Sequence, residues 1–231
     1  MPSRRSVERA AHETYERLAA FHPNADCELT PREPFRLLLA IVLSAQTTDV
    51  AVNKALPGLF MVFPDVASLA QADPVLVADQ IKTIGMYRQK AKHIVGLAKQ
   101  LVEKHDGQVP TDFEALLALP GVGRKTANVL MGVGYGVPTG VVVDTHVQRV
   151  AQRLGWTTQQ EPSKIEEDLA NLFPKEDWIM LSHVLIFHGR RVCGARAPAC
   201  EGCPVVDACP SAGKAAQVGR KSTRKSRGEH V

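Results

Sequence analysis

Apolar residues recur every three or four positions along most of the chain, which is the spacing of an amphipathic α-helix. Proline, glycine and aspartate interrupt this pattern at intervals of helix length, and few stretches alternate with a period of two. For the short apolar run Val141–Val143 we expect an extended link between helices rather than a strand. The pattern predicts an all-α fold with helices over Ser6–Ala20, Pro34–Ser44, Asp49–Phe63, Val66–Ala70, Pro74–Lys82, Tyr87–His105, Asp112–Ala118, Arg124–Gly132, Thr145–Leu154, Ser163–Leu172 and Lys175–His188.

The most informative stretch is 119–127, which contains Leu-Pro-Gly-Val-Gly-Arg-Lys-Thr-Ala. It joins two predicted helices through a tight turn, so we predict a helix–hairpin–helix motif. Pro120 fixes one backbone angle, and Gly121 and Gly123 permit conformations closed to other residues. The backbone amides at the start of the second helix then suit an anion such as a DNA phosphate. We expect Leu116 and Leu119 to anchor the hairpin in the core.

Lys125 falls in the first turn of the second helix, where the positive end of the helix dipole repels a cation. This repulsion favours the neutral amine that a nucleophilic lysine needs. The alternative is an ordinary exposed lysine or a phosphate contact. A nucleotide-binding P-loop is excluded, because Arg124 rather than glycine precedes the lysine and Leu119 occupies the earlier glycine position.

The charge of the chain is concentrated at its end. The net charge is +4, and residues 213–231 carry six Lys or Arg against one Glu, so the first 212 residues have a net charge of −1. We predict that this basic tail is disordered, either as a solubilising end or as a nonspecific phosphate-binding arm. The remaining composition, 45% hydrophobic and 23% charged, is that of a globular protein.

Two observations bear on the compartment. The longest unbroken apolar run, Leu37–Leu43, is far shorter than the ~18 residues that a membrane span needs. The charged segment Met1–His12 has no apolar signal core. We therefore expect an intracellular, cytoplasmic protein.

Four of the five cysteines cluster near the end of the chain. Cys193, Cys200, Cys203 and Cys209 have six, two and five residues between them, which in an intracellular protein favours a metal site over disulfides. Only one pair has the short spacing of a zinc knuckle, so the residues alone leave zinc and iron–sulfur both open, with iron–sulfur favoured. Nearby arginines, Arg191 among them, present cations to phosphate or are simply solvated.

Together these segments resemble a known family. The stretch 119–127, Val-Asp-Thr-His at 143–146, Leu-Ser-Ala-Gln-Thr-Thr-Asp at 43–49 and the cysteine spacing are similar to those of endonuclease III, a family of bifunctional DNA glycosylase/lyases in the helix–hairpin–helix superfamily. The resemblance covers roughly residues 5 to 210 in colinear order.

The resemblance implies two helical domains with a DNA cleft between them. One is a six-helix domain over residues 27–137 that holds the helix–hairpin–helix motif at 112–133. The other combines residues 1–26 with 138–212 and carries a [4Fe–4S] cluster on the four cysteines, followed by the basic tail at 213–231. The implied partner is double-stranded DNA with a damaged base or abasic site, bound by a monomer.

The resemblance also implies site roles. Lys125 is the Schiff-base nucleophile and Asp144 its acidic partner, although Asp144 is also a plausible helix N-cap. Gln46 and the loop residues Gly85, Met86 and Tyr87 would fill the gap left by the extruded base. His146 would lie near the lesion or a phosphate, and its alternative role is a structural hydrogen bond. The remaining implied DNA contacts are Gly121, Val122, Gly123, Arg124 and Arg191.

Two positions depart from the family pattern. The wedge position usually carries leucine, whereas here it is Met86, whose flexible side chain would alter lesion preference. The link from Pro138 to Asp144 is one residue longer than usual, which bears on the approach of Asp144 to Lys125.

The predicted function is therefore base excision repair of oxidised pyrimidines, with strand cleavage by β-elimination. One alternative is a monofunctional adenine or mismatch glycosylase of the same superfamily, which usually lacks the lysine. The other is a noncatalytic helix–hairpin–helix DNA-binding protein, which would leave Lys125 and Asp144 without a joint purpose.

Overall fold

Helices form nearly all the regular structure of residues 4–218, the part of the chain that this computed structural model describes. Within that range no strand forms, and Val141–Val143 is an extended, buried link as predicted. In chain order the α-helices are α1 (Arg4–Phe21), α2 (Pro34–Ser44), α3 (Asp49–Val62), α4 (Val66–Ala70), α5 (Pro74–Gln80), α6 (Tyr87–His105), α7 (Phe113–Leu117), α8 (Arg124–Tyr135), α9 (Thr145–Arg153), α10 (Pro162–Leu172) and α11 (Trp178–Arg191).

Most predicted helix bounds are confirmed to within a residue or two, and α2, α4 and α6 match at both ends. The end of α8 was predicted wrongly. Gly132 does not stop the helix, which continues to Tyr135 and ends at Gly136 in the left-handed conformation (φ +68°). The predicted helix Lys175–His188 also differs: its first turn is a 3₁₀ segment, Lys175–Asp177, and α11 continues three residues further, to Arg191.

The described residues divide into two compact units, residues 26–142 and residues 4–25 with 143–218. The second boundary between the units along the chain falls after residue 142. The physical reason is that the link 138–142 belongs to the first unit: Thr139 Oγ1 donates to Asn128 Oδ1 of α8 at 2.9 Å, and Val141 is fully buried.

Helix α2 is the centre of the first unit. Its residues from Phe35 to Leu43 are all buried except Arg36, so the helix is apolar on nearly every side. Such a helix is stable only when other helices surround it. It packs against α3, α6 and α8, and the core around it is aliphatic, as the scarcity of aromatic residues indicates.

In the second unit, α9 and α11 make a close contact through Gly189. A Cβ at this position would lie 2.9 Å from His146 Cβ, closer than two such carbons can approach. Arg149 Nη2 also donates to the Gly189 carbonyl at 2.8 Å across the same contact. Glycine here therefore sets the distance between α9, whose N-cap is Asp144, and α11, which ends at Arg191.

The predicted start of the disordered tail, residue 213, is too early in the chain. Residues 215–217 form a 3₁₀ turn with Ala215 buried, and Arg153 Nε donates to the Val218 carbonyl at 3.2 Å. The remainder of the predicted tail lies outside the described residues. Among residues 4–218 no helix is long and apolar enough to cross a membrane.

We predict that Gly189→Ala destabilises the protein by about 1–3 kcal/mol, because the new methyl group must push α9 and α11 apart. The matched control is Gly58→Ala in α3, where nothing lies within 4 Å of the added carbon and a gain of about 0.5–1 kcal/mol is expected. Urea denaturation followed by circular dichroism measures both. Equal stability of the two variants would contradict the close contact.

Candidate active site

The predicted hairpin is present between α7 and α8. Leu116 and Leu119 are buried, so they anchor the turn to the core as expected. Gly121 has a φ of +79°, a conformation that favours glycine. The Val122 side chain is buried and its amide donates to the Leu119 carbonyl at 3.1 Å, so both help to fix the turn.

Gly123 differs from its predicted role. Its φ of −101° is open to any residue, so it does not need glycine for its backbone angle. Instead, nothing lies within 4 Å of the place where its Cβ would be, and no side chain caps α8. A side chain at this position would obstruct a ligand that approaches the first turn of α8. Glycine therefore keeps this turn accessible to a ligand.

Lys125 is the second residue of α8 and is exposed. Its neighbour Arg124 is also exposed and places its guanidinium 5.6 Å from the Phe113 ring centroid. The amides of an uncapped first turn attract anions. The start of α8 therefore offers an anion-binding backbone and two cationic side chains in the same turn.

Asp144 begins α9 and caps it. Its Oδ1 accepts hydrogen bonds from the amides of His146 and Val147, both at 2.8 Å. The N-cap role considered from the sequence is thus confirmed. Neither bond uses Oδ2, so the cap orients the half-buried carboxylate while leaving its second oxygen out of these two bonds.

His146 lies in the first turn of α9 and is half-buried. Burial lowers the pKa of its imidazole, Arg149 and Arg190 lower it further, and Asp144 acts in the opposite direction. Arg149 Nη2 lies 3.1 Å from His146 Nδ1. Because arginine only donates, Nδ1 is the acceptor in this contact. The structural hydrogen bond considered for His146 is therefore present.

Arg191 is the last residue of α11 and is exposed. Its guanidinium carbon lies 3.7 Å from the Phe187 ring centroid, a close cation–π contact. This stacking holds the guanidinium in place at the helix end, where it also complements the negative end of the α11 dipole.

The two predicted gap-filling segments lie against each other. Gln46, between α2 and α3, and Met86, before α6, are both exposed and both have a φ of +55°. A Cβ on Gly85 would lie 3.8 Å from the Gln46 carbonyl oxygen, in ordinary contact.

Tyr87 is half-buried against the core, and the guanidinium of Arg88 stacks on its ring at 4.9 Å.

Sequence reasoning missed Lys90, although it left a signal. Lys90 shares one face of α6 with Ile94, Leu97 and Leu101, all of which are buried. A lysine in that pattern must find polar partners inside the protein. Its ammonium donates to the carbonyls of Leu43 and Ala45 and to Thr47 Oγ1, and burial lowers its pKa.

The four clustered cysteines line one cavity with apolar neighbours such as Val150 and Leu154, whereas Cys27 lies in the other unit. Burial raises the pKa of the Cys203 and Cys209 thiols, and the other cysteine sulfurs raise it further. Within residues 4–218, no three His, Cys, Asp or Glu side chains are arranged to hold one metal ion between them. All four clustered cysteines therefore share the lining of one cavity.

Arg153 supports the cysteine segment from α9. It is 1% exposed, and its Nη1 donates to Cys193 Sγ at 3.2 Å and to the Gly194 carbonyl at 2.8 Å. This contact, which sequence reasoning also missed, suits a cysteine that serves as a metal ligand.

Comparison with known proteins places this arrangement in a family. A model of the HhH-GPD superfamily of base excision DNA repair proteins matches residues 39–175. Endonuclease III of Synechocystis sp. is 47% identical over 195 residues, covering 84% of this chain and 89% of that relative. Endonuclease III of Escherichia coli is 44% identical over 193 residues, covering 84% and 91%.

Solved structures agree. A trapped covalent endonuclease III–DNA intermediate matches with a TM-score of 0.84 at 39% identity, covering 92% of this chain and 98% of that one. A noncovalent endonuclease III–DNA complex gives the same score and identity, covering 92% and 97%. The chain therefore belongs to the HhH-GPD superfamily of base excision DNA repair proteins and, within it, to the endonuclease III family.

This membership confirms the all-α fold class and the resemblance seen in the sequence. It also confirms that the chain is an enzyme of DNA repair, and it favours a base excision glycosylase over the two alternative functions. The roles of individual site residues remain predictions.

Proposed function

We propose that this enzyme excises oxidised pyrimidines from DNA through a Schiff base on Lys125 and then cleaves the strand by β-elimination. The observation that carries the proposal is the exposed lysine in the uncapped first turn of α8, directly after the glycine hairpin. Its family includes an endonuclease III that has been trapped as a covalent DNA intermediate, which is the species this chemistry requires.

The amine accounts for both steps. The Lys125 amine attacks C1′ of the damaged nucleotide, and the bond to the base breaks as the amine loses a proton and the departing base gains one. The C1′–O4′ bond then breaks with protonation of O4′ and leaves an iminium ion, which acidifies the C2′ hydrogen. Loss of that proton expels the 3′ phosphate and cleaves the strand. A water nucleophile would release the base but would leave no iminium ion to drive the second step.

Asp144 is proposed to stabilise the positive charge that develops on the sugar during base loss and to assist proton transfer. Its cap bonds through Oδ1 fix the carboxylate, so little reorientation is needed during the reaction. The proposal requires Asp144 and Lys125 to act on the same nucleotide, which the kinetic tests below examine.

The remaining residues are proposed to grip and reshape duplex DNA. The backbone of Gly121, Gly123 and Arg124 binds a phosphate, with Val122 supporting the turn. Gln46 and Met86 fill the gap left by the extruded nucleotide, and Gly85 and Tyr87 shape the second of these segments. His146 and Arg191 bind near the lesion or its phosphates. We propose that the enzyme acts as a monomer on chromosomal DNA in the cytoplasm.

The cysteine cavity fits a [4Fe–4S] cluster better than zinc. A zinc site normally has two short Cys-x-x-Cys pairs, whereas here only Cys200 and Cys203 have that spacing. We propose that Cys193, Cys200, Cys203 and Cys209 hold the cluster, which ties a Gly- and Pro-rich segment to α9 and supplies no step of the reaction. A bound cationic cluster also offsets the raised thiol pKa values of Cys203 and Cys209.

We predict that Lys125→Gln abolishes the covalent adduct that borohydride traps between the enzyme and abasic-site DNA, because the amide cannot form an iminium ion. Binding of the same duplex should persist within a few-fold. Lys99→Gln, an exposed lysine of α6, is the control and should trap normally. Wild-type trapping by Lys125→Gln would overturn the nucleophile assignment.

We predict that two substitutions of Asp144 separate its roles. Asp144→Asn keeps an N-cap acceptor and should slow single-turnover excision of thymine glycol roughly 10²-fold with little loss of stability. Asp144→Ala should be as slow and should also lose about 1 kcal/mol of unfolding free energy. An Asn variant with normal excision would leave Asp144 with its capping role alone.

We predict that the purified enzyme is yellow-brown and contains four iron and four acid-labile sulfide atoms per chain, the content of one [4Fe–4S] cluster. Elemental analysis and visible absorption measure this. Cys200→Ser should lower the iron content, whereas Cys27→Ser should leave it unchanged. A colourless protein with zinc at full occupancy would contradict the proposal.

A further inference from the structure

The buried ammonium of Lys90 connects the two segments that are proposed to fill the gap. Lys90 is only 4% exposed, yet it carries three polar hydrogens that all find acceptors. It donates to Leu43 O at 2.9 Å, to Ala45 O at 2.7 Å and to Thr47 Oγ1 at 2.8 Å. These acceptors span the end of α2 and the residues on both sides of Gln46.

All three acceptors are uncharged, so this charge is buried without an ion pair. The carbonyls at the end of α2 carry the negative end of its dipole, which partly compensates the ammonium. Burying a charge remains unfavourable compared with an apolar side chain of similar size. Core stability alone therefore does not explain a lysine at this position of α6.

The same residue is tied to the Met86 segment. Lys90 lies in the first turn of α6, and its amide donates to the Met86 carbonyl at 3.1 Å. Among the described residues other than glycine, only Gln46, Met86 and Asp106 have a positive φ, and Asp106 merely ends α6. The two residues proposed to enter the DNA are thus held in an uncommon backbone conformation on either side of one buried lysine.

We propose that Lys90 is a positioning residue that locks the Gln46 segment against the Met86 segment, so that both enter the DNA as one preformed wedge. The inference rests on the proposed function. With the Lys90 hydrogen bonds in place, both segments are already ordered before the base is extruded. The entropy cost of ordering them therefore does not add to the activation free energy of extrusion. Without these bonds, the Gln46 segment must be ordered during extrusion.

This role predicts a dependence on substrate. A duplex with a stacked, damaged base needs the wedge, because its partner base is orphaned when the lesion leaves the stack. A single strand that already carries an abasic site has neither a base to extrude nor a partner to support. Loss of the lock should therefore slow the first reaction and spare Schiff-base formation in the second.

The test uses Lys90→Met, which keeps the length of the side chain but removes its donors, and Thr47→Val, which removes one acceptor. Lys92→Met, an exposed lysine of the same helix, is the matched control. We expect Lys90→Met to slow single-turnover excision of thymine glycol from duplex DNA by roughly tenfold or more, which corresponds to the loss of one or two hydrogen bonds. Thr47→Val should have a smaller effect in the same direction.

Two further readouts separate positioning from general damage to the fold. Borohydride trapping on a single-stranded abasic oligonucleotide should stay within about twofold of wild type in every variant, because no gap must be filled. A 2-aminopurine opposite the lesion, which brightens when it leaves the stack, should brighten more slowly with Lys90→Met. If Lys90→Met does not fold, Thr47→Val carries the test.

The outcomes are distinct. Equal losses on the duplex and on the single strand would mean that Lys90 only supports the fold, and no loss on the duplex would mean that the lock is unnecessary. Either result overturns the inference while the proposed function stands. If the wild-type enzyme fails to trap abasic DNA at all, it is the proposed function that fails.

Discussion

The uncapped first turn of α8 is the constraint on which the rest of the site depends. A helix start exposes backbone donors that need acceptors, and Gly123 at the N-cap of α8 has no side chain to supply one. Leu116 and Leu119 hold the turn on the core, and Gly121 gives the chain its left-handed step. The polar backbone consequently faces outward, and a phosphate is the acceptor that suits it.

The starts of α8 and α9 differ in their capping, and this difference determines what each can bind or present. Helix α8 has no side-chain cap and carries Lys125 in its first turn, whereas α9 is capped by Asp144, whose carboxylate is thereby oriented. The start of α8 is suited to binding an anion beside the Lys125 amine, whereas the start of α9 presents the Asp144 carboxylate. Both helix starts present a positive potential, which is favourable for the Asp144 carboxylate and unfavourable for a cation in the first turn of α8.

Local signals predicted much of this architecture. Asp73 and the proline after it mark the start of α5, and the helix bounds of α6 follow from periodicity alone. Features that depend on distant parts of the chain escaped prediction. Lys90 donates to a carbonyl 47 residues away, and Arg153 in α9 donates to Cys193, which follows α11. Neither contact is visible in the local sequence pattern. The role of Gly123 was not predicted for a different reason: the accessibility of the first turn of α8 depends on the space around it and not on a backbone angle.

The most direct test of the account is to locate the covalent bond. Enzyme trapped with borohydride on abasic-site DNA is digested with protease and nuclease, and the modified peptide is sequenced by tandem mass spectrometry. The account predicts a reduced sugar adduct on the ε-amine of Lys125, in the peptide that follows the hairpin. An adduct on any other amine, with Lys125 unmodified, would contradict it.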